Sequence, residues 1–487
     1  MLKQSFTADN FETIFDIESR KNSIKNYLGE EYCDILSQIK VVQDDLANIN
    51  RKKASDRTDI EKELLVENKR KKDILTEAKK NIRHSKLEII SKNINNKDFR
   101  FTLKVKDDDK FVLPKLDDKR DGVLNEQEAN KRKAMFFAIK QLQYNIRKTF
   151  GVKQSSRHLI LSQIKLLLNE SNPKYVIRTD ITRFFESIPQ DKLFSKINDN
   201  TLLSSQSKKF IRQILNDYNS KKDTTKIDQD KGIPRGIGIS SYLSELYLKE
   251  VDNKLQNLSD VVFYARYVDD IFIIISPSLP KKDIDTYFIK IKEVVSVESL
   301  ELKDKGDSKC SLLDLTVPNM SEKVITYLGY GLHIKRDGDV TSVKFSMSDD
   351  KKGKIKNRIT QAFNHFNNTN KYGVKNAKDE LLLALCFLSA NTKLSGAKSR
   401  VKTGIFYSND LLDNEYLTDI EEIDAHLNSQ QLLLHSKQFP DAPSRQLAED
   451  KIKKDIQQKI SFAVGFLDKT YRFFKLDDMK KIKRILK

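Results

Sequence analysis

Two adjacent carboxylates between two apolar runs are the strongest chemical signal in the sequence. Asp269 and Asp270 follow Tyr267-Val268 and separate the β-rich runs Val261–Ala265 and Ile271–Ile275. If both runs are buried strands, the two charges at their junction are costly unless a cation meets them. Hard divalent ions such as Mg²⁺ prefer carboxylate oxygens, so the pair predicts a metal site. An exposed Asp-Asp hairpin turn is the alternative, since aspartate favours turns.

A third carboxylate ends another short apolar run. Asp180 follows Tyr175–Thr179 and precedes the aromatic pair Phe184-Phe185. A carboxylate at the end of a strand could share metals with Asp269, and two metals about 3.5–4 Å apart would stabilise the attacking and leaving oxygens of a phosphoryl transfer. Capping of a helix over Ile181–Ile188 explains Asp180 equally well.

A glycine- and proline-bearing loop lies between these acids in the chain. Residues 231–239 read Lys-Gly-Ile-Pro-Arg-Gly-Ile-Gly-Ile and lead into a helical stretch. Gly236 and Gly238 permit close approach of the backbone to a ligand, and a helix N-terminus favours phosphate. An ordinary turn is the competing interpretation of this loop.

The elements that must position these residues predict an α+β fold. Strands concentrate between about residues 174 and 346, and helical stretches separate them. The strand candidates are Tyr175–Asp180, Val261–Tyr264, Ile271–Ile275 and Val324–Tyr330, and the helical stretches are 191–217, 241–257 and 281–298. This alternation predicts a sheet with helices on one face.

The flanking regions are predicted to be largely helical. Residues 30–113 contain neither glycine nor proline, and their apolar spacing indicates long helices, used either for packing and oligomerisation or as a nucleic-acid clamp. In residues 99–113, apolar and polar side chains alternate on either side of a charged loop, and this pattern predicts a strand pair. From about residue 350 the pattern is helical to the end. The predicted domains are 1–95 (N-terminal helical segment), 96–174, 175–346 (the region of strands and helices) and 347–487 (all-helical C-terminal domain).

Composition narrows the class of protein. The chain has 487 residues, a length that indicates two to four domains. Its 89 Lys and Arg against 70 Asp and Glu give a net charge of +19, which indicates a polyanionic partner, most often nucleic acid. Three distant cysteines, Cys33, Cys310 and Cys386, argue against a disulfide scaffold or a zinc site. No run approaches the roughly 20 apolar residues of a membrane helix. We therefore expect a cytoplasmic protein with no membrane partner.

Taken in chain order, these segments resemble the palm motifs of reverse transcriptases. Asp180-x-x-x-Phe184-Phe185 resembles motif A, residues 232–240 resemble motif B, Tyr267-Val-Asp-Asp resembles the motif C box, and Tyr327-Leu-Gly-Tyr resembles the primer-grip hairpin, motif E. The resemblance covers about residues 145–335. It implies a right-hand-like polymerase with a fingers-like region over 96–174 and a palm over 175–346, with an antiparallel sheet and helices, ahead of the all-helical C-terminal domain.

Departures from the usual motifs narrow the resemblance. Pro234-Arg235-Gly236 stands where group II intron and viral enzymes usually carry Pro-Gln-Gly, and the retron marker Val-Thr-Gly is absent. With Ser155-Ser-Arg157 upstream and Phe184-Phe-Glu-Ser-Ile-Pro after motif A, the chain looks like the abortive-infection (Abi) group of bacterial defence reverse transcriptases. A bacterial, cytoplasmic enzyme is implied.

The resemblance implies metal-binding roles for the motif residues. Asp180 and Asp269 would bind two Mg²⁺ ions, with Mn²⁺ as the alternative, and Asp270 would complete the catalytic carboxylate cluster. The Ile181 carbonyl would contact the nucleotide-side metal. Phe185, five residues past Asp180, matches the steric gate that excludes a ribose 2′-hydroxyl, so the product should be DNA.

Four further residues are implied to contact the nucleotide: Arg157, Arg235, Gly236 and Lys305. Arg157 would reach the triphosphate, or else form a surface ion pair. Arg235 replaces a glutamine that normally lies near the nucleotide and template. Lys305 would donate a proton to pyrophosphate, with Lys309 as the alternative lysine.

Three functions remain open at this point. The first is an antiphage DNA polymerase that uses dNTPs, copies no added template, is primed from a protein hydroxyl and makes single-stranded DNA. The second is templated reverse transcription of a bound non-coding RNA. The third is a non-catalytic nucleic-acid-binding assembly protein. The resemblance and the charged N-terminal helices predict a homo-oligomer, and the local charge of +8 over residues 451–487 predicts either a product channel or a solvated helix face.

Overall fold

A computed structural model describes residues 3–19, 24–106, 110–116, 123–199, 202–278, 283–393, 402–439 and 441–486. Within these ranges helices combine with antiparallel sheets and lead into a mainly helical C-terminal region, which confirms the predicted α+β class. None of the helices in these ranges is long and apolar enough to span a membrane.

Long helices make up most of the N-terminal region. They are α1 Ala8–Ser19, α2 Glu30–Asn50, α3 Asp59–Asn95, α4 Glu126–Phe150 and α5 Arg157–Leu168. Helix α3 begins after Thr58, whose hydroxyl accepts the Glu61 N–H while the Glu61 carboxylate accepts the Thr58 N–H. Ile90 and Ile94 at its C-terminal end are buried, whereas Ile60 near its start is exposed. Only the second half of α3 therefore packs into the main core.

The predicted strand pair lies between α3 and α4. Strands β1 Lys104–Lys106 and β2 Lys110–Val112 pair antiparallel, and residues 107–109 of the predicted loop lie outside the described residues. The Phe111 N–H donates to the Arg235 carbonyl at 2.7 Å. This ribbon is therefore attached to the glycine-bearing loop at residues 231–239.

The central sheet has four antiparallel strands in the order β4–β5–β3–β6. Their bounds are β3 Tyr175–Asp180, β4 Val261–Tyr267, β5 Asp270–Ile275 and β6 Ser311–Asp314. Ile177 and Ile273 point into one apolar core, and Val176 and Ile274 point into a second core on the opposite face. Because β3 and β5 are covered on both faces, their sequences are nearly continuous apolar runs.

Helices cover one face of this sheet. They are α6 Phe184–Ser187, α7 Gln190–Asn198, α8 Ser205–Asn219, α9 Ser240–Gln256 and α10 Ile284–Ser296. The helix predicted over 191–217 is two helices, because Ser204 caps the second one by accepting the Ser207 N–H. The other face packs against α5 and a second sheet.

The second sheet connects the palm region to the C-terminal helices. It comprises β7 Met320–Tyr327, β8 Tyr330–Asp337 and β9 Val340–Met347, in that order. The helices that follow are α11 Asp349–Thr369, α12 Val374–Ser389, α13 Thr418–Asn428, α14 Ala442–Lys459, α15 Phe462–Leu467 and α16 Leu476–Ile485. They enclose an apolar core of their own.

The C-terminal region is not purely helical as predicted. Strands β10 Asn391–Lys393 and β11 Lys402–Gly404 form a two-stranded ribbon after α12. The buried Asn391 side chain stabilises this ribbon by donating to the Gly465 carbonyl and accepting the Phe406 N–H. The apolar spacing of the surrounding helices gives no signal for so short a pair of strands.

Candidate active site

The strand register brings the predicted carboxylates together. Asp180 at the end of β3 is the cross-strand partner of Asp270 at the start of β5. Side chains of directly paired residues lie about 4.5–5.5 Å apart at their Cβ atoms. Asp269 lies in the two-residue turn between β4 and β5, and its carbonyl accepts the Ile181 N–H at 3.0 Å. Three carboxylates from two chain segments thus meet at one end of the sheet.

The turn that carries Asp269 has an unusual backbone conformation. Val268 has a φ of +64°, in the left-handed region that β-branched residues rarely adopt. Its carbonyl accepts a hydrogen bond from Arg266 Nη1 at 2.8 Å. Such a conformation persists only where neighbouring contacts enforce it. Arg266 is therefore a positioning residue for the turn, which the motif alone did not reveal.

Asp180 is buried, with 4% of its surface exposed. Its Oδ2 accepts a hydrogen bond from Lys309 Nζ at 2.9 Å, and its Oδ1 is buried without a hydrogen-bond partner. An anionic oxygen left unpaired in a protein interior is costly. A divalent cation would satisfy this atom, so the donor set fits the predicted metal.

The other two carboxylates differ in their partners. Burial, and next the neighbouring Asp180 charge, raise the pKa of Asp269. Burial also raises the pKa of Asp270, although Arg178 opposes it through a salt bridge of 2.7 Å to Asp270 Oδ1. Within the described residues no three Asp, Glu, His or Cys side chains are grouped as a ready-made metal site. Lys309 and Arg178 occupy two of the carboxylate oxygens instead.

The carboxylates line an open cleft of about 700 Å³. Phe185 lies in its wall beside Phe184, with ring centroids 5.5 Å apart. Arg235 is exposed in the same wall, and Ile181 also lines the cleft. The structure therefore brings Phe185, Arg235 and Ile181 to the carboxylates, as the motifs predicted.

Gly236 lies next to the cleft for a different reason from the one predicted. It has a φ of +105°, and a Cβ added to it would lie 2.7 Å from the Phe111 carbonyl oxygen. A Cβ on Gly238 would lie 2.4 Å from the Gln143 side chain. Both glycines thus lie where protein groups approach the backbone closely, and their predicted contact with a ligand stays a prediction.

Two predicted nucleotide contacts lie elsewhere. Lys305 forms an ion pair with Asp285. Lys309, the alternative to Lys305 in the sequence analysis, is the lysine that contacts Asp180. Arg157 packs against the β7–β8 hairpin, with its Cζ 5.6 Å from the Tyr330 ring centroid. The structure thus separates Lys305 and Arg157 from the carboxylates.

Sequence reasoning missed two arginines near the cleft. Arg178 is a buried charge inside the apolar strand β3, and that pattern signals a buried partner, here Asp270. Arg183 follows motif A in a left-handed conformation, with a φ of +46°, and donates to the Lys226 carbonyl at 2.6 Å. Arg183 and Arg235 also line a neighbouring pocket of about 430 Å³, whose walls include Lys221 and Lys222.

Burial lowers the pKa of Lys309, but the hydrogen bond and the charge of Asp180 outweigh it, so the pKa is raised overall. The lysine beside the carboxylates is therefore fully protonated near neutral pH. A protonated amine at a metal-binding cleft can donate a proton or stabilise a phosphate.

A comparison of sequences finds a family match over the central sheet, the hairpin acids and the cleft. Residues 120–332 match the family described as "Reverse transcriptase (RNA-dependent DNA polymerase)". A reverse transcriptase domain is therefore present over these residues. No match was found among curated proteins.

Solved structures of telomerase are among those similar to this chain. Apo telomerase from Candida tropicalis, truncated from its C-terminal domain, has 13% sequence identity and a TM-score of 0.34, over 51% of this chain and 55% of that chain. Telomerase from Candida albicans, in complex with a TWJ fragment of telomeric RNA, has 10% identity and a TM-score of 0.34, over 81% of this chain and 64% of that chain. This chain therefore covers less than two thirds of either protein.

Proposed function

We propose that the protein polymerises deoxynucleotides at the cleft that contains Asp180, Asp269 and Asp270. The buried, unpartnered Oδ1 of Asp180 beside Asp269 is the observation that carries this proposal. Reverse transcriptase domains generally use divalent metals, typically Mg²⁺. Two such ions, held by Asp180, Asp269 and the Ile181 carbonyl, would supply Lewis-acid stabilisation of the attacking and leaving oxygens.

The chain's own residues have distinct roles in this proposal. Arg178 neutralises Asp270 and fixes its orientation by the salt bridge of 2.7 Å. Lys309, rather than Lys305, protonates the leaving pyrophosphate, because Lys309 contacts Asp180 whereas Lys305 pairs with Asp285. Phe185 blocks the space that a ribose 2′-hydroxyl would need, so dNTPs are the substrates.

Arg235 is the cleft's exposed cation on the side of the glycine-bearing loop. Its carbonyl is held by the Phe111 N–H, which fixes the loop while the side chain stays in the cleft wall. A guanidinium there can hold a phosphate by paired hydrogen bonds, which a glutamine cannot do. This difference supports nucleotide addition that does not depend on a conventional template.

The test is nucleotide incorporation by purified protein supplied with Mg²⁺ and labelled dNTPs. We expect incorporation by wild type, a loss of at least about 10³-fold in Asp269→Asn, and no change in Asp337→Asn, whose carboxylate is 79% exposed on β8. Equal incorporation by Asp269→Asn and wild type would contradict the proposal. Incorporation of rNTPs by Phe185→Ala, but not by wild type, would support the steric gate.

Antiphage defence, template independence and protein priming are the finer parts of the proposal, and the motif resemblance supports them. Product that stays with the protein through denaturing extraction, and is released by proteolysis, would support priming from a protein hydroxyl. Product of random or homopolymeric sequence would support synthesis without a template. Loss of phage protection in Asp180→Ala would connect the chemistry to defence, whereas unchanged protection would favour the non-catalytic assembly role.

Templated copying of a bound non-coding RNA is the second candidate, and the family description as an RNA-dependent polymerase favours it. It predicts RNA that co-purifies with the protein and single-stranded DNA product complementary to that RNA. Sequencing both nucleic acids from one preparation separates this candidate from untemplated synthesis. Activity that is lost after RNase treatment would support the templated reaction.

We also propose that the protein is a homo-oligomer. Ile60, Val66 and Ile74 on α3 and Val41 on α2 are exposed apolar side chains on the long N-terminal helices. A second copy of the chain could cover them. Light scattering should give a mass above the 56.5 kDa of one chain, and substitution of Ile60 and Ile74 by Lys should lower it.

A further inference from the structure

The outer face of the second sheet carries an ordered array of side chains. Leu332 and Phe345 belong to the core on the inner face, so their neighbours in β8 and β9 lie on the outer face, because side chains alternate along a strand. The strand register arranges the outer residues in two adjacent rows across the three strands, Thr326–Gly331–Ser346 and Val324–His333–Lys344.

His333 joins a serine to a carboxylate on this face. Its Nε2 lies 2.8 Å from Ser346 Oγ, and its Nδ1 lies 3.0 Å from Glu322 Oε1. An ionised carboxylate can only accept, so Nδ1 carries the hydrogen and Nε2 accepts from the Ser346 hydroxyl. The other acceptor near this hydroxyl, the Gly331 carbonyl, is farther away at 3.4 Å. Nucleophile, base and orienting carboxylate are thus joined in series, and we refer to Ser346, His333 and Glu322 as the Ser346 triad.

The imidazole of the Ser346 triad is held in one orientation. The Tyr416 ring stacks on it, with centroids 4.3 Å apart and an interplanar angle of 26°. The His333 side chain is 16% exposed and Ser346 is 8% exposed, whereas the Glu322 side chain is half-exposed. Two hydrogen bonds and one stacked ring therefore fix the base at a serine that is shielded from most water, as nucleophilic catalysis requires.

Gly331 provides the space that the serine hydroxyl occupies. A Cβ on Gly331 would lie 2.5 Å from Ser346 Oγ and 3.5 Å from Val324 Cγ1. The Val324 side chain is 54% exposed, so an apolar surface adjoins the hydroxyl. Thr326, the cross-strand partner of Gly331 on β7, is exposed on the other side of the same space. A small acyl group therefore has an apolar contact here and a hydroxyl donor nearby.

We propose that the Ser346 triad is a second catalytic site, at which Ser346 is the nucleophile toward carboxylic esters with a small acyl group. Ser346 Oγ adds to the carbonyl carbon, and its proton passes to His333 Nε2. The bond from that carbon to the alcohol oxygen breaks, and the imidazolium returns the proton to the leaving oxygen. The acyl group is then bonded to Ser346.

Water completes the reaction. It adds to the acyl carbon while His333 Nε2 takes its proton, and the bond to Ser346 Oγ then breaks as the imidazolium protonates the serine. The products are a carboxylic acid and an alcohol. Glu322 orients the base, Val324 packs against the acyl group, and the Thr326 hydroxyl donates to the carbonyl oxygen as negative charge develops there. None of these steps uses the carboxylates of the cleft, so the inference goes beyond the proposed polymerase function.

Labelling of the full chain by a fluorophosphonate probe, with the modified residue located by mass spectrometry, tests the nucleophile. Ser346 Oγ should displace fluoride from phosphorus, and the labelling rate should fall at least about 10²-fold in His333→Gln and about tenfold in Glu322→Gln. Ser342→Ala, which removes a serine of the same strand whose cross-strand partner is Lys335, should match wild type. No label on Ser346, or equal rates in wild type and His333→Gln, would overturn the proposal and leave the triad a structural network.

Hydrolysis of p-nitrophenyl acetate tests the complete reaction. We expect kcat/KM to fall at least about tenfold in Ser346→Ala, and an acetyl group to be found on Ser346 of wild type. Glu322→Gln alters a half-exposed side chain, so its lower activity decides the question if Ser346→Ala also lowers the melting temperature. Acetylation of lysines or tyrosines without Ser346, or activity that is equal in wild type and Glu322→Gln, would contradict the proposal.

The variant Asp269→Asn separates this site from the cleft. It should lose dNTP incorporation yet label on Ser346 and hydrolyse the ester like wild type. Loss of labelling in Asp269→Asn would place the reactive group at the cleft and overturn the second site. Labelling that survives in a protein with no polymerase activity would support the Ser346 triad while the polymerase proposal falls.

Discussion

Replacement of Arg266 by Met should destabilise the palm and disable the cleft together. The Arg266 guanidinium is bidentate to Asp252, with Nε and Nη2 at 2.8 and 2.7 Å from its two oxygens, and it also contacts Glu245 at 2.8 Å. A methionine of similar volume retains the packing but leaves both carboxylates without their cation. The same change removes the hydrogen bond to the Val268 carbonyl in the turn before Asp269.

The expected loss of stability follows from the burial of these partners. Removal of one member of a buried ion pair costs about 3–5 kcal/mol. Glu245 is 14% exposed and Asp252 is 26% exposed, and Asp252 keeps a hydrogen bond from Tyr264 Oη at 2.6 Å. Because water reaches both carboxylates and Asp252 keeps the hydrogen bond from Tyr264, we expect a loss of unfolding free energy at the lower end of this range, about 3 kcal/mol. Urea denaturation followed by the fluorescence of the tyrosines gives the measurement.

The pH dependence of the loss distinguishes an ion-pair mechanism from lost packing. Without Arg266, the folded variant holds two negative charges in its interior without their cation, and this cost falls as the solution is acidified. The stability deficit against wild type should therefore shrink between pH 7 and pH 5. A deficit below about 1 kcal/mol, or one that grows on acidification, would refute this reasoning.

Arg336→Met provides the matched control. Arg336 is also buried, but it donates to the carbonyl oxygens of Leu315 and Gly338, and Asp339, its carboxylate neighbour at 3.7 Å, is fully exposed. Its removal should also lower the free energy of unfolding, because these carbonyl oxygens lose their hydrogen-bond donor. The deficit should stay constant between pH 7 and pH 5, because no buried carboxylate loses its cation.

Three other changes have defined outcomes. Lys309→Met should lower the rate of dNTP incorporation about 10²-fold, whereas Lys305→Met, which breaks only the pair with Asp285, should match wild type in the same assay. Gly232→Ala should cost about 2 kcal/mol in urea denaturation, because its φ is +89° and the new Cβ would lie 2.6 Å from Tyr218 Oη. Between pH 7 and 10, wild type should gain stability relative to Lys351→Met, because the pKa of Lys351, which faces Arg157 and Asp410, is about 7 in the folded state and higher in the unfolded state.

The sheet and its three carboxylates could be predicted because strands that are buried on both faces are nearly continuous apolar runs in the sequence. Strands β3 and β5 are short apolar runs that end and begin at Asp180 and Asp270, so a charge at each boundary stands out. The order of motifs then indicated that the acids share one site, whereas the pairing of Asp180 with Asp270 is known only from the structure. The helix starts also followed local rules, as the capping interaction between Thr58 and Glu61 shows.

Residues placed by contacts between distant segments could not be predicted. Lys305 and Lys309 lie in one loop, and spacing does not decide which of them faces Asp180. The choice depends on a turn in which the Cys310 N–H donates to the Asp307 carbonyl, and on the bridge between Ile181 and Leu302. The glycine-bearing loop gave a similar ambiguity. The partner of Gly236 is the Phe111 carbonyl, which lies in a separate ribbon more than 100 residues earlier in the chain.

The net charge of +19 shows why pairing matters more than a count of charges. The basic segment 451–487 was a predicted product channel, and it contains twelve Lys and Arg residues. Arg484 there pairs with Glu380 of α12, so this cation is already engaged within the protein, whereas Lys378 of α12 neutralises the segment's acid Asp455. Arg157 and Lys351 lie outside this segment, and neither has a carboxylate within ion-pair distance among the described residues. Because a phosphate gains most where a cation has no other partner, the pairing of each cation says more about anion binding than the net charge does.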